Sequence, residues 1–191
     1  MGKRLLLLAV IALVLAPNAA ARGGAYSFDG GTRAEQGQVK AALDASSFDW
    51  GVVPGQVTIH IARGAASHAT AGAIWLDSDL LDSGRFSWGV VQHEYAHEVD
   101  FLALTDGMRA QLHSVLGGSS WWGGQHAQLD CERFADALAW AYWQSPDNVM
   151  RPESVSDEGG QVDPASFRAL VTALLPSQVR TLARRPRHPN G

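Results

Sequence analysis

The chain is poor in cysteine, poor in lysine and, past its first sixteen residues, free of long apolar runs. One Cys among 191 residues cannot form an internal disulfide, so the core must hold without cross-links. Lys occurs only at positions 3 and 40, and acidic residues outnumber basic ones, for a formal net charge of −4. An acidic balance argues against a general nucleic-acid binder, which needs a basic face to displace counterions. The absence of a later apolar segment of about 20 residues argues against a membrane span. At 46% hydrophobic residues the composition is that of a globular chain.

The one apolar run lies at the start. Met1-Gly2-Lys3-Arg4 precedes Leu5 to Ala16, followed by Pro17 and the small residues Ala19, Ala20 and Ala21. A basic start, a short apolar segment and an A-x-A site make the pattern of an export signal. Twelve residues rise about 18 Å as a helix, too short for a hydrocarbon core of about 30 Å. Residues 1–21 are therefore expected to be a signal peptide of bacterial type, and residues 22–191 a single secreted domain. Removing the signal leaves 13 basic against 19 acidic residues. No association with membrane or nucleic acid is expected afterwards, and a monomer is the simplest state.

Arg22 to Thr32 is Gly- and Ala-rich and reads as a mobile segment. Ala34 to Ala45 has helical periodicity. Val57 to Ile61 alternates apolar and polar, a half-buried strand with His60 on its polar side. Gly64 to Thr70 reads as a loop, in which His68 has no partner by spacing. Ala71 to Asp77 reads as a strand. Ser87 is placed to cap a helix from Trp88 to about Leu104, and Gly117-Gly118 to end one from Asp106 or Gly107 to Leu116. Asp130 is placed to cap a helix from Cys131 to about Gln144. Asp163-Pro164 opens a last helix through Leu175. The tail from Arg180 reads as a solvated basic end. The fold class expected is α+β: a small mixed sheet packed on two site-bearing helices, with a mostly helical C-terminal half.

The chemistry-bearing motif is His93-Glu94-Tyr95-Ala96-His97, H-E-x-x-H within a helical run. Residues i and i+4 lie on one helical face about 6 Å apart along the axis, so two imidazoles can converge on one ion. Glu94 projects about 100° round from His93, where it can reach a metal-bound water as general base. Catalytic zinc takes three protein ligands and keeps one position open. The metzincin continuation fails, because Asp100 and Ala103 stand where its Gly and third His belong. Downstream, Glu132 and Asp136 share a helix face at i and i+4. Glu132 can close the ligand set, and Asp136 can accept the free ring N–H of a ligand His. His126, in the loop before Glu132, is the alternative third ligand. Cys131 would point about 100° away from Glu132 and reads as a small buried residue.

H-E-x-x-H followed by E-x-x-x-D, here His93, Glu94, His97, Glu132 and Asp136, resembles the gluzincins, the thermolysin-like zinc metallopeptidases. The resemblance covers roughly residues 57–142. It implies a zincin-like fold, zinc held by His93, His97 and Glu132, Glu94 as general base, Asp136 orienting a ligand His, and a peptide substrate. Ala71 to Asp77 looks like the edge strand along which those enzymes hold substrate by strand addition. Larger members carry a C-terminal helical subdomain whose His or Tyr stabilises the oxyanion, and here only a short stretch follows the second motif. Tyr142, His126 and His113 are the candidates for that role. The function expected is secreted zinc-dependent peptide hydrolysis. The alternatives are a non-catalytic zinc-binding module for a protein or cell-wall partner, and a zinc hydrolase of non-peptide amides. Seven Trp are many for this length. Most are expected in the core, with the loop pair Trp121-Trp122 as a cleft rim for apolar side chains.

Overall fold

The computed structural model describes residues 24–153, 157–160 and 162–175. The expected signal peptide, residue 22, residue 23 and the basic tail lie outside them. No helix among the described residues is long and apolar enough to cross a membrane.

The architecture is mixed α+β. Four strands, β1 (Tyr26–Gly30), β2 (Val57–Ala62), β3 (His68–Thr70) and β4 (Ala73–Asp77), form one sheet in the order β1-β2-β4-β3. β1, β2 and β4 run parallel, and β3 is antiparallel to β4. The β1–β2 crossover is made by helix α1 (Arg33–Ala45), opened by a reciprocal capping box of Thr32 and Glu35. After β4 come a single turn, α2 (Ser78–Leu81), then α3 (Phe86–Ala103), α4 (Asp106–Leu116), α5 (Asp130–Tyr142) and α6 (Pro164–Leu174).

Alternation decides which sheet face is inside. Val57, Ile59 and Ile61 of β2 and Ile74 and Leu76 of β4 are buried against the helices. The other face carries a row set by strand register, Asp29, His60, Trp75 and His68, one from each strand. Both imidazoles stack on Trp75, at 4.9 and 4.6 Å between ring centroids. His60 is therefore a surface residue, as its strand pattern implies, and it is paired with Asp29 at 2.8 Å.

α3 is the central element. Every residue from Val91 to Asp100 is buried, because α1, α5 and the sheet pack around it. Gln92 donates to the carbonyl of Ala42 on α1 at 2.7 Å, and Glu98 accepts from the backbone N–H of Gly72 at 2.8 Å. Glu98 thereby fixes the turn between β3 and β4 against α3.

Five local expectations are corrected. The Gly-rich start contains β1, whose Tyr26 and Phe28 alternate with polar residues and pair with β2. The 64–70 loop contains β3. The strand at 73–77 is interior, between β2 and β3, so the free edge on that side belongs to β3. Ser87 does not cap α3: it lies inside the helix and its hydroxyl donates to Gly84 O at 2.7 Å. Asp130 is the first residue of α5 and not its cap. Its carboxylate takes the Gly118 N–H at 2.8 Å and pairs with His113. By contrast Gly117 ends α4 in the left-handed region at φ 72°, and Asp163 caps α6 by accepting from the N–H groups of Ala165 and Ser166.

The α6 cap gives a direct stability test. Asp163→Ala leaves two N–H groups without their acceptor and is expected to cost about 1 kcal/mol, lowering Tm by roughly 2–4 °C in calorimetry. An unchanged Tm contradicts a stabilising cap.

Candidate metal centre

α3 and α5 cross with their polar faces opposed. His93 Nε2 and His97 Nε2 are 3.1 Å apart. Glu132 Oε2 lies 3.3 Å from the first and 3.4 Å from the second. For bond lengths near 2.05 Å, the edge of a zinc tetrahedron is about 3.3–3.4 Å. Two imidazole nitrogens and one carboxylate oxygen thus form a triangle of the size that a tetrahedral ion requires. All three residues are nearly buried, with side-chain exposures of 11, 9 and 13%.

The imidazole of His93 is oriented from behind. Its Nδ1–H donates to Asp136 Oδ1 at 2.7 Å, one turn along α5 from Glu132. This leaves the Nε2 lone pair of neutral His93 free to bind a cation. Burial disfavours charge on His93, but the carboxylates of Asp136 and Glu132 outweigh it and push its pKa up to about 10. Burial likewise opposes charge on Glu132, and the two imidazoles overcome it, holding this carboxyl well below the usual range. Glu94 is buried and also offers a carboxylate oxygen within 4.8 Å of the two imidazole nitrogens. Burial pushes its pKa up, and the neighbouring His93 and His97 draw it back only in part.

A cavity of about 350 Å3 opens over this cluster, lined by Ser67 and by His68 and Ala69 of β3. Phe101, Trp122, Leu129, Cys131 and His126 also line it. His126 adjoins the same carboxylate: its ring is 72% exposed and its Nε2 stands 3.2 Å from Glu132 Oε2. Cys131 is buried, with its thiol pushed up to about 12 by burial and by Glu132. Its Sγ lies 3.8 Å from Glu132 Oε1, on the same cavity.

Two of the three oxyanion candidates are not brought to the cleft. Tyr142 is ten residues along α5 from Glu132, and its ring packs edge-on to Phe48 in the core, 5.0 Å between centroids. His113 pairs with Asp130 and lines a separate cavity of about 310 Å3. Sequence reasoning missed His68. Its Nδ1–H donates to Ala66 O at 2.8 Å, its ring lies flat on Trp75, and it lines the cavity. A three-residue edge strand has no pattern of its own, and only its pairing with β4 reveals it. Asp100 was also passed over. It is fully buried, paired with Arg109 at 2.8 Å, and accepts from Trp121 Nε1 at 3.0 Å.

No family model matches the chain, and no curated protein or solved structure matches it.

Protons and a bound cation would compete for the same nitrogen at His93. The carboxylates of Asp136 and Glu132 favour the protonated form of His93 in the metal-free protein. Zinc binding should therefore release about one proton per ion, and affinity should rise with pH. Calorimetry in buffers of different ionisation enthalpy counts those protons, and zero release contradicts the assignment of His93. Asp136→Asn should weaken zinc binding about 10- to 100-fold, and a wild-type affinity in that variant contradicts the orienting role.

Proposed function

We propose that this protein is a zinc-dependent peptide hydrolase of zincin-like fold, working outside the cytoplasm as a small relative of the gluzincins. The observation that carries this reading is the triangle of His93 Nε2, His97 Nε2 and Glu132 Oε2, with edges of 3.1, 3.3 and 3.4 Å. The sequence order H-E-x-x-H then E-x-x-x-D supports it.

His93, His97 and Glu132 would hold the ion, which when bound supplies Lewis acidity and a water of lowered pKa. The two His bring no net charge and Glu132 brings one negative charge, a donor set that leaves the ion electrophilic. Asp136 holds the His93 ring in the tautomer that presents Nε2.

Glu94 accepts a proton from the attacking water. The raised pKa that burial gives its carboxyl suits a base working near neutrality. The new bond joins the water oxygen to the peptide carbonyl carbon. As the C–N bond breaks, Glu94 returns the proton to the leaving amine. His126, which is exposed and lines the cavity, would donate to the oxyanion that develops on the carbonyl oxygen.

The β3 edge borders the cleft, and an extended peptide can pair with its free N–H and C=O groups. That edge is at 68–70, one strand outward of the segment read as the edge from sequence.

Two variants and a chelator test the reading. Glu94→Gln should retain stoichiometric zinc and lose casein or peptide hydrolysis by at least about 100-fold, the scale of general-base catalysis. Glu132→Ala should lose the zinc. Removing zinc with a chelator should lower Tm, because the ion binds the folded state alone. Full hydrolysis by Glu94→Gln would falsify the mechanism. Zinc binding without cleavage of any peptide would favour the non-catalytic binding module.

A further inference from the structure

The cleft lining includes polar Ser67 and His68 and a run of rings, His97, Phe101 and Trp122. The His97 ring stacks on Phe101 at 6.0 Å between centroids and 20° between planes. Phe101 stacks in turn on Trp122 at 5.6 Å and 15°. The ring stack thus runs outward from a proposed ligand to Trp122, which is 48% exposed.

A group that lies against two stacked rings can meet their edges. Aromatic edges are electropositive and receive the electronegative face of another ring. An aliphatic chain gains burial there but not this attraction. Leu129 and Cys131 also line the cavity without adding charge.

The run of rings is also held in place. Asp100, fully buried three residues after His97, accepts from the indole N–H of Trp121 with both oxygens, at 3.1 and 3.0 Å. It also accepts from Arg109 Nε at 2.8 Å, while Arg109 Nη2 donates to the Asp100 carbonyl at 2.6 Å. The Arg109 guanidinium sits 5.7 Å from the Trp122 ring centroid. Trp121 is anchored against Phe134 of α5. Asp100 therefore fixes both neighbours of Trp122: the residue before it in sequence and the cation over its ring. The two tryptophans of the loop have different tasks, Trp121 as fastener and Trp122 as surface.

We propose that Phe101 and Trp122 form a subsite for an aromatic side chain of the bound peptide, and that Asp100, through Trp121 and Arg109, is the positioning residue for it. The proposal rests on the hydrolase reading for the nature of the ligand, so its test reads binding and not turnover. Zinc-loaded Glu94→Gln protein is titrated with three capped hexapeptides that differ at one position, Phe, Leu or Ala, with that position scanned along the peptide. In the best register the Phe peptide should bind about 3- to 10-fold tighter than the Ala peptide, with Leu between them. Trp122→Ala should bring the Phe/Ala ratio to about one. Trp121→Phe, which keeps the ring and removes only the N–H, should reduce the ratio while zinc affinity stays at its parental value. Asp100→Asn is the second variant for the same bond.

A Leu peptide binding as tightly as the Phe peptide, or a ratio untouched by Trp122→Ala, overturns the subsite. A ratio untouched by both Trp121→Phe and Asp100→Asn overturns the positioning role. Cleavage by wild-type protein with no aromatic preference sinks the subsite and leaves the hydrolase standing. Aromatic-selective binding with no cleavage by wild-type protein does the reverse.

Discussion

The meeting of α3 and α5 at one point is the constraint on which the rest depends. Two imidazole nitrogens and a carboxylate oxygen converge within 3.4 Å of one another in a nearly buried place. Without a cation, such a cluster must share protons among groups that water would otherwise solvate. That is the origin of the opposed shifts at His93 and Glu132. The same convergence limits how far the two helices can slide. Glu132 and Asp136 reach one imidazole only if one face of α5 looks at one face of α3.

Much of the remaining fold serves to hold α3. A helix buried along ten successive residues needs a partner on every side. α1 supplies one through Gln92, the β3–β4 turn another through Glu98, and α4 and the Trp121 loop a third through Asp100. Gln92, Glu98 and Asp100 are polar, fully buried and on the site helix. Each contact is a hydrogen bond with direction as well as a packed surface, so together they fix the helix's rotation as well as its place. This suits a chain without disulfides, in which geometry must come from packing and polar contacts.

The sequence made the site more legible than its surroundings. The helical spacing of His93 and His97, and of Glu132 and Asp136, depends only on 3.6 residues per turn, so each pair could be placed before any packing was known. That the two pairs face each other is a tertiary fact, invisible to either segment alone. The strand errors have the same origin. β3 is three residues long and exists through its pairing with β4, so neither it nor the true sheet edge could be read from local pattern. β1 had a signal in the alternation of Tyr26 and Phe28 that its glycine-rich setting obscured. Asp130 looked like a helix cap by residue type, but His113 and Gly118, distant in sequence, claim its carboxylate. The expectation that most tryptophans lie in the core fails: only Trp50 and Trp143 are buried, while Trp75 separates two imidazoles and Trp122 is exposed at the cleft.

Zinc K-edge X-ray absorption on the metal-loaded protein tests the central claim most directly. The account predicts four-coordinate zinc with nitrogen and oxygen scatterers at about 2.0–2.2 Å, two imidazoles among them, and no sulfur at about 2.3 Å. It also predicts loss of the signal in Glu132→Ala. A sulfur shell from Cys131, or an unchanged spectrum in Glu132→Ala, would contradict a centre built from His93, His97 and Glu132.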